Sequence, residues 1–187
     1  DKEKEPLSYL LGCFTWSATI GLIIAFIINS QAFRIFGDGF SALITAPLIE
    51  ELVKAAPILF VALMFTKEYN NLTDTIVYAV SSALGFAMME NILYYVQYDL
   101  SFSLFLSRGV STSYAHPLFT IMSAYGIFLY VKKNKIFFLF MGYLLAVLLH
   151  FVWNASSSMG VAYFQLVYLL VYVPLIFGVR HVLKKNL

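Results

Sequence analysis

The sequence predicts an all-α bundle of membrane-spanning helices, and three observations predict it. The 187 residues are 61% apolar, with only 12% charged and a mean hydropathy of +0.82, far from the mix of soluble domains. Apolar runs recur at 8–29, 41–65, 74–98, 108–131, 136–158 and 161–183, each near the roughly 20 residues a helix needs to cross a bilayer. The runs are apolar on every side with Gly, Ala and Ser scattered through them, whereas β-barrel strands would be about 10 residues long and would alternate strictly.

Taken in order, the first run carries no charged residue behind the charged opening "DKEKEP". The second carries Pro47 and then "LIEELVKAAPILF", which places Glu50, Glu51 and Lys54 among apolar neighbours. The third holds Ser81, Ser82, Ala83, Gly85 and Ala87, small residues that let membrane helices approach closely. The fourth carries His116 directly before Pro117, and the fifth carries His150 and Asn154. The sixth ends at a basic stretch in which Arg180 and Lys184 flank His181, a solvated interfacial histidine on this reading. The abundant Phe and Tyr serve as packing surface and interfacial belt.

The connections are short, and no linker, repeat or low-complexity tract interrupts them, so residues 1–187 read as a single integral-membrane domain. The lone Cys13 has no partner for an internal disulfide and says nothing about compartment. The chain begins with Asp1 rather than Met, from which we expect a further helix upstream. Positive residues in short loops stay on the cytoplasmic side. Lys2, Lys4, Lys67, Lys132, Lys133, Lys135, Arg180, Lys184 and Lys185 fall on one side, against Arg34 and Arg108 on the other. The reading is a multi-pass cell-membrane protein with both ends cytoplasmic.

Ionisable residues inside spans are expensive, about 3 kcal/mol or more on insertion scales, and mark functional sites. Here they are Glu50, Glu51 and Lys54, then Glu90 beside Asn91, His116, and His150 with Asn154. At ~1.5 Å per residue, Glu50 lies about 14 Å below the outer end of its span, and Glu90, His116 and His150 about 12 Å below theirs. Four helices therefore bring carboxylates and imidazoles to one level. Glu50 with Lys54, and His150 with Asn154, share helix faces at i,i+4 spacing. Pro47 and Pro117 free backbone carbonyls nearby, which membrane proteins tolerate where they line a cavity. A polar pocket is expected there.

Such a pocket can activate water. Glu50 is the expected general base, His150 and Asn154 can donate to an oxyanion, and Lys54 can set the charge of the adjacent glutamates. The same inventory suits zinc, with Glu90, His116 and His150 as ligands and a position left for water. Glu50 is the base in either scheme, and metal and metal-free chemistry are both open. A structural ion pair between Glu51 and Lys54, and helix bridging by Asn91, stand as the plainer alternatives for those residues. Nothing resembles a phosphate loop or a nucleic-acid surface.

The ordered motifs Glu50-Glu51-x-x-Lys54, Phe86-x-x-x-Glu90-Asn91, an isolated His116, and His150-x-x-x-Asn154 resemble those of the PrsW family, intramembrane proteases related to the type II CAAX prenyl endopeptidases. The resemblance covers nearly the whole chain. It implies hydrolysis of a peptide bond in a membrane-anchored protein, with an anti-sigma factor as the family namesake's substrate. By analogy with the CAAX enzymes it makes Glu50 the base and His150 with Asn154 the oxyanion hole. In place of those enzymes' second-motif histidine this chain has Glu90, with His116 an additional histidine, which makes the zinc set plausible. Two rivals remain: a proton- or ion-coupled transporter, which also places Glu and His in spans but usually shows internal repeats, and a non-catalytic scaffold of the same fold.

Overall fold

The computed structural model describes residues 5–98 and 101–186, apart from the side chains at 103, 104, 107, 182, 185 and 186. Asp1, Lys2 and Lys4, on which part of the truncation and orientation readings rest, lie outside the described residues, as does the Lys185 side chain.

Each apolar run is a helix. Helix α1 spans Leu7–Phe36 with a wider π-helical turn at Ser17–Gly21. Helix α2 covers 38–64, with a π turn at Ser41–Thr45 ahead of the regular stretch Ala46–Met64. Helices α3, α4 and α5 are Leu72–Gln97, Phe102–Lys133 and Ile136–Ser158. Helix α6 covers 161–186 and has its own π turn at Tyr168–Tyr172. Among the described residues, four helices, α1, α3, α5 and Val161–His181 of α6, are long and apolar enough to cross a membrane. Helices α2 and α4 fall short in composition because they carry the charged and polar residues of the site.

The sequence punctuates these helices in physical terms. Gly37, at φ +85°, and Gly160, at φ +108°, take backbone conformations costly for a residue with a Cβ and turn the chain between α1 and α2 and between α5 and α6. Asn71 caps α3: its side chain accepts from the Thr73 and Asp74 amides at 2.7 and 3.1 Å, while Asp74 accepts from the Asn71 amide at 3.1 Å, a reciprocal capping box. Pro57, inside α2, lacks the N–H that would bond the Val53 carbonyl. The Trp16 indole of α1 donates to that carbonyl instead, at 3.2 Å.

Small residues set the spacing. A Cβ on Gly85 would lie 2.2 Å from the Phe14 carbonyl oxygen, so α1 and α3 touch backbone to backbone; a Cβ on Gly126 of α4 or Gly142 of α5 would lie 2.8 or 2.6 Å from the other's Cα. Hydroxyls then tie three helices at one level. Ser82 donates to the Lys54 carbonyl at 2.7 Å, which leaves Ser17 as the donor in its 2.8 Å bond to Ser82. Helices α3 and α4 form the middle of the bundle, burying Tyr78, Phe86, Phe119 and Ile127. Phe26, Phe137, Leu148 and Leu170 point outward, as a lipid-facing surface requires.

Candidate active site

Helix α2 delivers Glu50, Glu51 and Lys54 to the bundle centre, where Glu51 and Lys54 are fully buried and Glu50, His116 and His150 nearly so. Glu51 is the best-satisfied group. Its Oε1 accepts from Lys54 Nζ at 2.5 Å and faces His150 Nδ1 at 2.9 Å, and its Oε2 accepts from the Thr120 hydroxyl at 3.2 Å. Lys54 also meets His116 Nδ1 at 2.9 Å and lies 5.0 Å over the Phe86 ring. Phe119 stacks on His150 with ring centroids 4.8 Å apart, so the polar cluster has aromatic walls.

These contacts dictate the proton positions. A carboxylate can only accept, so His150 gives its Nδ1–H to Glu51, and in the neutral imidazole the Nε2 that faces Glu50 is the acceptor. Glu50 Oε1 accepts from Asn29 Nδ2 at 3.3 Å, while its Oε2 is buried without a hydrogen-bond partner and lies 3.8 Å from His150 Nε2. With His150 neutral and Glu50 ionised, two acceptors face one another, an arrangement that a proton or a cation between them would relieve. A lysine ammonium can only donate, so His116 accepts at Nδ1 and donates from Nε2 to Glu90 Oε2 at 3.2 Å.

Glu90 is held on its other side by Arg108, whose guanidinium donates to Oε2 at 3.0 Å and to Asn91 Oδ1 at 3.2 Å. Arg108 stacks 3.5 Å over Tyr94, and Asn91 donates to Thr112 at 2.8 Å. The sequence reading took Glu90 as the third metal donor beside the two histidines. The donor atoms that converge are those of Glu50, His116 and His150, all within 4.8 Å of one another, because Arg108 and His116 engage the Glu90 carboxylate. Asn154 lines the same cavity, and one of its amide hydrogens goes to the Ala42 carbonyl at 2.9 Å, in the π turn of α2.

Sequence reasoning missed Arg108, Thr112, Thr120 and Asn29. Arg108 counted as an outer-loop charge, but α4 begins at Phe102, which carries it into the helix; Arg34 likewise sits in the last turn of α1. The signal was present, since 108, 112, 116 and 120 recur at four-residue spacing and form one polar stripe on α4. Asn29 was detectable as an amide at the end of an apolar run.

Two cavities meet at the cluster. One, of about 490 Å³, is lined by Glu50, Glu90, Arg108, His116, His150 and Asn154. The other, of about 810 Å³, opens between α1 and α3 and also reaches Glu50 and Glu90.

A helical membrane bundle with carboxylates and imidazoles converging beside a cavity has the groups a membrane-embedded hydrolase needs to activate water. Residues 5–179 match the family described as PrsW family intramembrane metalloprotease. The chain is 33% identical to a Protease PrsW of Clostridioides difficile strain 630, over 95% of this chain and 78% of that protein. It is 35% identical to one from Oceanobacillus iheyensis, over 82% and 72% of the two chains, and 29% identical to one from Geobacillus kaustophilus, over 81% and 68%. No solved structure matches. The chain belongs to the PrsW family and is an intramembrane peptidase.

Proposed function

We propose that this peptidase cuts a membrane-anchored protein at the level of Glu50, and that Glu50, His116 and His150 hold a divalent metal ion, zinc by the chemistry of the donors, with His116 giving up the Nε2 proton it directs at Glu90 when the ion binds. The facing acceptors Glu50 Oε2 and His150 Nε2, 3.8 Å apart, carry this reading. Two imidazoles and one carboxylate are a common catalytic zinc set. Glu51 on His150 Nδ1 supports it, since a metal-bound histidine usually gives its other N–H to a carboxylate or carbonyl. Bound zinc would lower the pKa of its water to about 7 and polarise the scissile carbonyl.

The chain's own residues do the rest. With Glu50 in the donor set, the role of base that the sequence reading gave to Glu50 passes in this scheme to Glu90. Its Oε2 meets Arg108 and His116, and its Oε1 takes the proton of the attacking water at the same cavity and returns it to the leaving amine. The second amide hydrogen of Asn154 is available to the developing oxyanion. Lys54 and Glu51 compensate each other, so neither is buried as a lone charge. The substrate carried over with the resemblance is a membrane-anchored anti-sigma factor.

A specific contact favours a second reading. Lys54 Nζ at 2.9 Å from His116 Nδ1 leaves the His116 Nε2–H directed at Glu90, which suits a metal-free scheme in which Glu50 itself takes the proton. Both readings require Glu50. Replacing Glu50 with Gln should reduce cleavage of a membrane-anchored reporter at least 100-fold, the scale of general-base loss, while the protein stays folded. A fully active Glu50→Gln protein would sink both.

A further inference from the structure

The two cavities share Asp38, Glu50, Glu90 and Tyr94, so they form one path that passes the carboxylates. Helices α1 and α3 touch at Phe14 and Gly85 and are separated farther out by the larger cavity. Its walls include Phe26 and Phe33 on α1 and Leu93 and Tyr98 on α3, all exposed, which makes it a cleft open toward lipid. At its inner edge stands Asn29. One end of its carboxamide donates to Glu50; the other, Oδ1, is buried without a hydrogen-bond partner.

We propose that this cleft receives the substrate as an extended polypeptide and that Asn29 Oδ1 accepts a hydrogen bond from a substrate backbone N–H beside the scissile bond. The proposal deepens the active-site reading and rests on it. A peptide bond inside a helix is shielded by its own ladder, so the substrate must unwind to be cut, and each freed N–H then needs an acceptor where water is scarce. Asn29 supplies one, and its Nδ2–H bond to Glu50 fixes the bound strand relative to the reacting groups. Apolar walls accept the side chains on either face of an extended chain, whose period is two.

The test uses a fluorescent synthetic single-span peptide, about 20 apolar residues interrupted by a central Gly-Gly pair, in lipid nanodiscs with the full chain carrying Glu50→Gln so that bound peptide is not consumed. Adding Asn29→Leu, similar in size but without the acceptor, should weaken binding about tenfold, the scale of a buried polar group left unpaired. Leu also removes the Nδ2–H bond to residue 50, so Asn29→Asp, which keeps the acceptor and loses that donor, should restore binding, a result that a merely structural Asn29 would not give. Ser30→Trp, which fills the cleft, should weaken binding further, and Leu148→Trp on the outer face of α5 should not change it. Equal affinity across the series, or no binding by the parent, overturns the proposal. Failure of the active-site reading would show separately, as cleavage that survives Glu50→Gln.

Discussion

Lys54 shows how much one residue can hold together: fully buried, it bonds Glu51 and His116 and lies over the Phe86 ring. Removing one partner of a buried pair leaves an uncompensated charge. Lys54→Met should therefore destabilise the protein by about 3 kcal/mol or more, read as a fall in melting temperature in detergent, and Lys54→Met with Glu51→Leu should recover much of it. A single mutant as stable as wild type would show that the pair is not a buried charge pair. At this scale the sequence was partly legible. Glu50, Glu51, Lys54, Glu90, His116 and His150 stood out because charge and imidazole are rare in spans, and distances of 2.5 to 3.8 Å now join them. Which atoms face which was not legible, because hydrogen-bond direction depends on rotamer and helix rotation. Composition therefore did not show whether the oxygen of Glu50 or of Glu90 converges with the histidine nitrogens.

At the scale of elements, glycine contacts set the packing. Gly126 and Gly142 face each other so closely that a Cβ on either would lie within 2.9 Å of the other's backbone. Gly126→Leu should push α4 from α5 and cost about 1–3 kcal/mol, as overpacking does. Gly12→Leu, where a Cβ meets nothing within 4 Å, should be nearly neutral. Equal melting temperatures for the two variants would refute the close packing. Helix number and order were readable because a bilayer imposes a length on each apolar run. Helix ends were less so: α1 runs on to Phe36 and α4 starts at Phe102, since polar residues near a helix end extend the helix without extending the apolar run. That is why Arg108 looked like a loop residue.

Across the whole molecule, both faces of the membrane are accountable to measurement. Just before α1, Glu5 accepts from Tyr78 at 2.8 Å. Burial pushes its carboxyl up to about 7 against that hydrogen bond, with Asp74 and Glu68 adding like charge. The native state then holds a proton that the unfolded chain releases near 4.5, so stability is fullest below 4.5 and falls as pH rises toward 7. Glu5→Gln should flatten melting temperature over that window; an unchanged slope would show that Glu5 does not titrate there. The basic loops predict that a tag after Leu187 is digested from the cytoplasmic side only, and digestion from outside would reverse the orientation.

The measurement that tests the central claim most directly is elemental metal analysis of the purified, detergent-solubilised protein, prepared without chelators, beside a His116→Ala, His150→Ala double variant. About one zinc per chain, lost in the double variant, is the predicted result. Folded wild-type protein that carries no metal and takes none up from added zinc would contradict a metal site at Glu50, His116 and His150.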